Sequence, residues 1–153
     1  MKAGEYCKRE VVAIAATADI TEAARTMRDR HVGFLVVHNE GSAQRKPVGV
    51  ITDRDIVLEV MALGVDPHSV TVADVMTRDP LIAEEQQDLA EVIQAMRLAG
   101  VRRLPVVNAS GALTGVIALD DAIAAVTIFM CDLSGSIRNE QGQERRWRDA
   151  DRQ

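Results

Sequence analysis

The sequence predicts an α/β fold of the α+β kind, two βαββα units packed on each other with pseudo-twofold symmetry. Three observations predict it. Residues 7–38 match residues 76–107 without a gap, so that Cys7 falls on Met76, Ile20 on Leu89, Met27 on Met96 and Val32 on Val101. After a loop of unequal length the match resumes, with Gly49-Val50-Ile51-Thr52-Asp53-Arg54-Asp55 over Gly115-Val116-Ile117-Ala118-Leu119-Asp120-Asp121. Within each copy, short β-branched runs alternate with amphipathic helical spacing. The period, 69 residues and then 66, exceeds the roughly 20–50 residues of a solenoid repeat. Neither copy alone can cover its sheet and its helices, so each buries its residual apolar surface on the other.

The first copy opens with Val11-Val12-Ala13-Ile14, a short apolar run of the kind a buried strand shows. Asp19 then stands at the cap of a helix whose Ile20, Ala23, Ala24 and Met27 fall at i, i+3, i+4 and i+7. The second copy puts Asp88 at the cap and Leu89, Val92, Ile93 and Met96 on the same face. Phe34-Leu35-Val36-Val37 and Leu104-Pro105-Val106-Val107 read as strands. Pro105 cannot donate to a ladder, which places its strand at an edge or starts the strand there. Asn39-Glu40-Gly41-Ser42 and Asn108-Ala109-Ser110-Gly111 supply turns between paired strands. The first loop is three residues longer, which accounts for the change of period. Strands over Val48–Thr52 and Leu113–Ala118 follow, then helices near 53–63 and 119–130.

Leu63-Gly64-Val65-Asp66-Pro67-His68-Ser69 links the copies, its Gly and Pro stopping the preceding helix. Val72 to Met76 leads into the second copy. The expected units are 7–65 and 72–131. From Asp132 the apolar pattern fades, Gly135-Ser136 is expected to break the helix, and 132–153 reads as a charged, disordered tail carrying Trp147.

Composition narrows the function classes. With 47% apolar residues in 153, the chain has material for a core without staples. Eighteen basic against 23 acidic side chains leave a net charge of −5. With no basic run before residue 145, nucleic acid is not expected as a partner. The longest apolar run, Val11 to Ala16, is far short of the roughly 20 residues that span a bilayer. The first five residues lack the apolar core of a signal peptide, so a cytoplasmic location is expected, with no membrane partner. Cys7 and Cys131 read as two free thiols, with a bridge pinning the termini as the lesser alternative. His31, His38 and His68 are scattered and make no metal site. No nucleophile elbow, phosphate-binding Walker loop or zinc-protease motif occurs, so no enzyme is expected and no cofactor is required.

The order and spacing of the repeat, Val101-Arg102-Arg103-Leu104-Pro105-Val106-Val107, and Gly49 to Ile56 together resemble a tandem pair of cystathionine-β-synthase (CBS) domains, often called a Bateman module. The resemblance covers about residues 7–130 and is nearest to small stand-alone bacterial proteins that contain the pair and no catalytic domain. It implies two equivalent clefts binding adenine nucleotides or S-adenosylmethionine. It also implies a homodimer of discs that buries the 53–63 and 119–130 helices, for which Ile56, Val60, Ile123, Val126 and Phe129 are candidates that suit an internal core equally well, and output through an unknown effector protein or through oligomerisation.

The family's ribose-phosphate motif is complete in the first copy, as Gly49, Thr52 and Asp55. A strand ending at Thr52 and a helix starting there would turn unpaired N–H groups toward a phosphate. The Thr52 hydroxyl would donate to phosphate, Asp55 would accept from both ribose hydroxyls, and Gly49 would allow close approach of the backbone. Thr-x-x-Asp at a helix start is equally a capping pair. In the second copy Ala118 stands where the hydroxyl should be, although Asp121 remains. The site with Thr52 and Asp55 is therefore the expected binder. Arg102 and Arg103 lie where the family often places a phosphate-reaching base, and they read equally as solvated or paired with acids. Val12, Val32 and Val101 are candidates for an adenine slot or plain core. Alongside this adenosine-sensor reading stands an interaction module with a vestigial cleft.

Overall fold

The computed structural model describes residues 1–41 and 45–150, with side chains through residue 140. Its elements are α1 (Ala3–Tyr6), β1 (Ala13–Ala15), α2 (Ile20–Arg30), β2 (Phe34–His38), β3 (Pro47–Thr52), α3 (Asp53–Asp55), α4 (Val72–Val75), β4 (Thr77–Arg78), β5 (Ala83–Glu84), α5 (Leu89–Ala99), β6 (Arg103–Val107), β7 (Leu113–Ala118) and α6 (Leu119–Ala150). The backbone leaves α3 as a π-helical stretch, Ile56–Met61. There Ala62 N–H donates to the Val57 carbonyl and Val65 N–H to the Val60 carbonyl, each five residues back.

Both copies build a sheet in which β1 or β5 runs parallel to β2 or β6, and β3 or β7 completes it antiparallel. The amphipathic helices form as the spacing dictates. Ile20, Ala23 and Met27 are buried on α2, and Leu89, Val92 and Met96 on α5. Each helix ends on a left-handed residue, His31 at φ 53° and Gly100 at φ 68°. Asp19 caps α2, accepting from Glu22 N–H at 2.7 Å. Asp88 does not cap α5 with its side chain. Its carboxylate is drawn to Lys2 Nζ at 3.0 Å instead.

The two copies exchange their leading segments. Strand β4 follows the linker yet pairs with β3 of the first copy, Gly49 opposite Arg78 and Val50 opposite Thr77. Its counterpart, the chain at Lys8, bridges to Val116 of β7. Short helices α1 and α4 precede these strands and dock across the same way. Ala3 N–H donates to the Gln87 carbonyl and Gly4 N–H to that of Glu85, while Val72 donates to Ala18 and Ala73 to Ala16. Val72 therefore lies in the first copy's core with Ile14, Leu35 and Ile51, and Ala3 in the second's with Leu89, Val106 and Ile117. Each core is completed by a segment of the other copy, so neither can be full without its twin.

Two expectations are corrected here, and one open alternative is resolved. Strand β6, with Pro105 in it, lies between β5 and β7 and is central. It tolerates the proline because β5 pairs only from Ala83↔Val106 onward. At the equivalent place in the first copy Val36 N–H donates to the Val12 carbonyl at 3.2 Å, a bond proline cannot make. Second, α6 does not break at Gly135-Ser136, and the 132–150 backbone is helical. One glycine costs only about 1 kcal/mol against alanine, and Ser136 Oγ donates to its own helix at the Asp132 carbonyl, 3.1 Å. The side chains of Arg145, Arg146, Trp147 and Arg148 lie outside the described residues. As for the alternative, Ile56 and Val60 are buried, 7% and 1% exposed, in the first copy's core. They are unavailable to a second subunit, whereas Ile123, Val126 and Phe129 are exposed.

Candidate functional site

The pseudo-twofold leaves two clefts between the copies. The larger, about 390 Å³, is built by Thr52, Asp53, Arg54 and Asp55 from the end of β3 and from α3. Facing them are Thr77, Pro80 and Leu81 and the run Val101 to Pro105 of the second copy. The smaller, about 270 Å³, is lined by Ala118, Asp120 and Asp121, by Lys8, Val11 and Val12, and by the run His31 to Phe34. The two linings are counterparts in the repeat, Thr77 standing for Lys8, Leu81 for Val12 and Arg102 for Gly33.

The structure sorts the sequence-derived site residues between these clefts. Thr52, Asp55, Arg102 and Val101 share the larger one, while Val12, Val32 and Asp121 share the smaller. Arg103 borders both. Val12 and Val32 therefore belong with Asp121, and of the three candidate valines only Val101 lines the larger cleft. Gly49 lines neither. A Cβ on it would lie 2.3 Å from Met76 Sδ and 3.1 Å from the Thr77 carbonyl, and a Cβ on Gly115 would lie 2.5 Å from Cys7 Sγ. These glycines admit the exchanged segment, not a ligand. The same burial pushes the Cys7 thiol above its ordinary pKa, partly offset by Arg9. Both thiols are free.

At the mouth of the larger cleft, Thr52 and Asp55 form the capping pair. Thr52 N–H donates to Asp55 Oδ2 at 2.8 Å, and Thr52 Oγ1 donates to the same oxygen at 2.7 Å. Asp55 N–H returns to Thr52 Oγ1 at 3.2 Å. The expectation of unpaired N–H groups here is also corrected, since Asp53 N–H donates to the Gly33 carbonyl and Arg54 N–H to Asp53 Oδ1. What the cleft does offer is charge. Arg54, Arg102 and Arg103, all exposed, face Asp53 and Asp55. Asp55 Oδ1 has no hydrogen-bond partner among the described residues.

The second cleft differs in three ways, of which the sequence had shown one. Ala118 offers no hydroxyl, so Asp121 accepts only the Ala118 N–H, at 3.1 Å. The other Asp121 oxygen is held by Lys8 Nζ at 3.2 Å, where the larger cleft has neutral Thr77. Lys8 and Arg103 are outnumbered by Glu10, Asp120 and Asp121, so the formal balance is acidic where the first is basic. Lys8, Arg54, Thr77 and Leu81 went unrecognised as site residues. The 69-residue offset that pairs Lys8 with Thr77 was the signal for two of them.

Fold and clefts define a class, a tandem pair of small αβ modules with clefts between the copies. The chain matches the CBS domain family over residues 3–62 and 72–128, and it belongs to that family. It is 32% identical over 138 residues to an uncharacterised protein of Methanopyrus kandleri, covering 90% of this chain and 69% of that one. Among solved structures it is similar to a CBS domain protein of Pyrobaculum aerophilum complexed with AMP, with TM-score 0.72, 27% identity, and 79% and 89% of the two chains covered. It also matches the inosine-5'-monophosphate dehydrogenase of Methanocaldococcus jannaschii, 32% identical over 80% of this chain, but only 23% of the enzyme. The shared part is thus a minor portion of that enzyme. No helix among the described residues is long and apolar enough to cross a membrane.

Proposed function

We propose that this chain is a regulatory module that binds an adenosine-containing anion, AMP, ADP or ATP, in the larger cleft and passes its occupancy to an effector protein as a cytoplasmic homodimer. The carrying observation is that Arg54, Arg102, Arg103 and Asp55, whose Oδ1 is free among the described residues, line one space between the copies. Its volume falls within the roughly 300–1,000 Å³ of small-molecule pockets, and that of the second cleft falls just below. Asp55 Oδ1 accepts the ribose hydroxyls while Oδ2 keeps its cap, the arginines take the phosphate, and Val101 and Leu81 supply apolar walls. Charge-assisted bonds of this kind are the strong ones. S-adenosylmethionine shares the adenosine but brings a sulfonium to a basic cleft and binds more weakly. The AMP held by the Pyrobaculum aerophilum relative supports the ligand class.

The closed Thr52–Asp55 cap favours a second reading, a protein-interaction module with a vestigial cleft. Isothermal titration with AMP, ADP, ATP, S-adenosylmethionine and NAD separates the two. Saturable binding at one site per chain supports the sensor, and no binding by folded protein leaves the interaction module.

A further inference from the structure

A third cavity, about 370 Å³, opens beside the first copy's core. It shares only Asp55 and Thr77 with the larger cleft. Its apolar wall is Val60, Val65, Val70 and Val75, and its charged groups are Asp55, Glu59 and Asp74. The volume falls within the roughly 300–1,000 Å³ of small-molecule pockets.

The differences between the copies explain why this space exists. At Gly64, φ 66°, the first copy's chain turns out of its helix, and the linker folds back along it. Val65 N–H donates to the Val60 carbonyl at 3.0 Å, and the Val70 carbonyl accepts from Ile20 N–H at 3.3 Å. In the second copy α6 runs on past the matching residue, Met130, and no returning linker builds such a wall. The counterpart of Val75 is Tyr6, whose ring packs toward the second core where the first copy has only a valine. The widened π-helical turn supplies the glutamate. Regular α6 buries Ala125, 3% exposed, at the place of Glu59, whereas the first copy buries Val60 one residue later and leaves Glu59 exposed.

The chemistry of the lining selects a ligand class. Three carboxylates stand there with no lysine or arginine, so an anion is repelled. Asp74 is a capping residue like Asp55. Its Oδ2 accepts from Thr71 N–H at 2.8 Å and from Thr71 Oγ1 at 2.7 Å, and its Oδ1 has no partner among the described residues. The same bonds hold its carboxyl below the usual carboxylate range. A single metal ion does not suit these groups, because no three of them among the described residues are placed to hold one. Two positive charges held apart by an apolar chain do suit them, since the chain covers valine surface and each end makes a charge-assisted bond. We propose that this cavity is a separate ligand site for an alkyl diammonium, whose methylene chain lies on the four valines and whose ammonium groups pair with Glu59 and Asp74. The site does not rest on the nucleotide reading, because neither Glu59 nor Asp74 lines the larger cleft.

The test titrates putrescine calorimetrically into the full chain in physiological salt, which screens loose pairing with the acidic surface. Saturable binding at one per chain is expected, with none of the uncharged diol of the same length. Val75→Tyr fills the cavity with the ring that the second copy carries at Tyr6, and is expected to abolish binding while thermal unfolding shows a folded protein. Glu59→Ala removes an exposed side chain without touching the core, and is expected to weaken binding about threefold, as the loss of one exposed ion pair does. No saturable binding by the folded native protein overturns the proposal, and diol binding as tight as putrescine overturns the ligand class. Putrescine affinity that is unchanged in folded Val75→Tyr or in Glu59→Ala puts the diamine elsewhere on the surface and overturns the site.

Discussion

Gly49→Ala separates a structural from a ligand-binding role at the glycine that opens the ribose-phosphate motif. A methyl group there would meet Met76 Sδ at 2.3 Å, Met76 Cγ at 3.0 Å and the Thr77 carbonyl at 3.1 Å. The thioether is the far end of a flexible side chain and can swing away, but the carbonyl belongs to β4, held in register opposite Gly49 and Val50. Overpacking of this kind costs about 1–3 kcal/mol, or roughly 2–12 °C in Tm for a chain of this size. Urea unfolding with and without Met76→Ala gives the double-mutant cycle. Coupled neighbours show about 0.5–3 kcal/mol of interaction, and here the sign is fixed, the glycine substitution costing less once Met76 is gone. AMP affinity should barely change, because Gly49 lines neither cleft. A Gly49→Ala protein of native stability that has lost nucleotide binding would refute the exchanged-segment reasoning.

The asymmetry of the clefts makes a gain-of-function prediction, that Lys8→Thr with Ala118→Thr frees Asp121 and restores its cap. Calorimetric stoichiometry should then rise from one toward two per chain, and a stoichiometry fixed at one would count against the Lys8 and Ala118 account. Arg9 holds the Glu85 carboxyl below its ordinary pKa by a side-chain bond, and Lys2 does the same for Asp88. For groups lowered in the fold, stability is present above the unfolded pKa of about 4 and is lost as pH falls through the folded value. Thermal unfolding from pH 6 to 3 should therefore show a fall at the acid end that Glu85→Gln flattens, and an unaltered slope would contradict the pairing. Burial and a raised pKa make Cys7 the slower thiol. A disulfide-exchange reagent should label exposed Cys131 first, and equal rates would mean that the Cys7 segment is not seated on Gly115.

The repeat, the amphipathic faces of α2 and α5, and the central strands were legible because each rests on periodicity or on β-branched runs that two copies show independently. The exchange of leading segments was not. Ala3–Tyr6 and Val72–Val75 are single turns with no period to detect, and their partners lie far along the chain. One trace was present, since Cys7 over Met76 and Gly49 over Gly115 are the two pairs that pack together across the exchange. Pro105 was misplaced because the proline rule concerns a missing donor, and β5 starts one residue too late to need it. At the site, the structure brings the candidates Thr52, Asp55, Arg102 and Arg103 to one cleft. Val12, Val32 and Asp121 could not be sorted from them without the geometry of the pseudo-twofold. The satisfied N–H groups of α3 depend on the Gly33 carbonyl and the Asp53 carboxylate, contacts that no spacing reveals.

The most direct test is calorimetric titration of AMP into the native protein, Asp55→Ala and Asp121→Ala. The first variant loses both bonds from Thr52 and the second the Ala118 bond and the Lys8 ion pair, with thermal unfolding of each variant confirming that it is folded. The expected result is one saturable site in the native protein, abolished by Asp55→Ala and unchanged by Asp121→Ala. Binding that survives Asp55→Ala and disappears with Asp121→Ala would put the ligand in the smaller, acidic cleft and contradict the assignment.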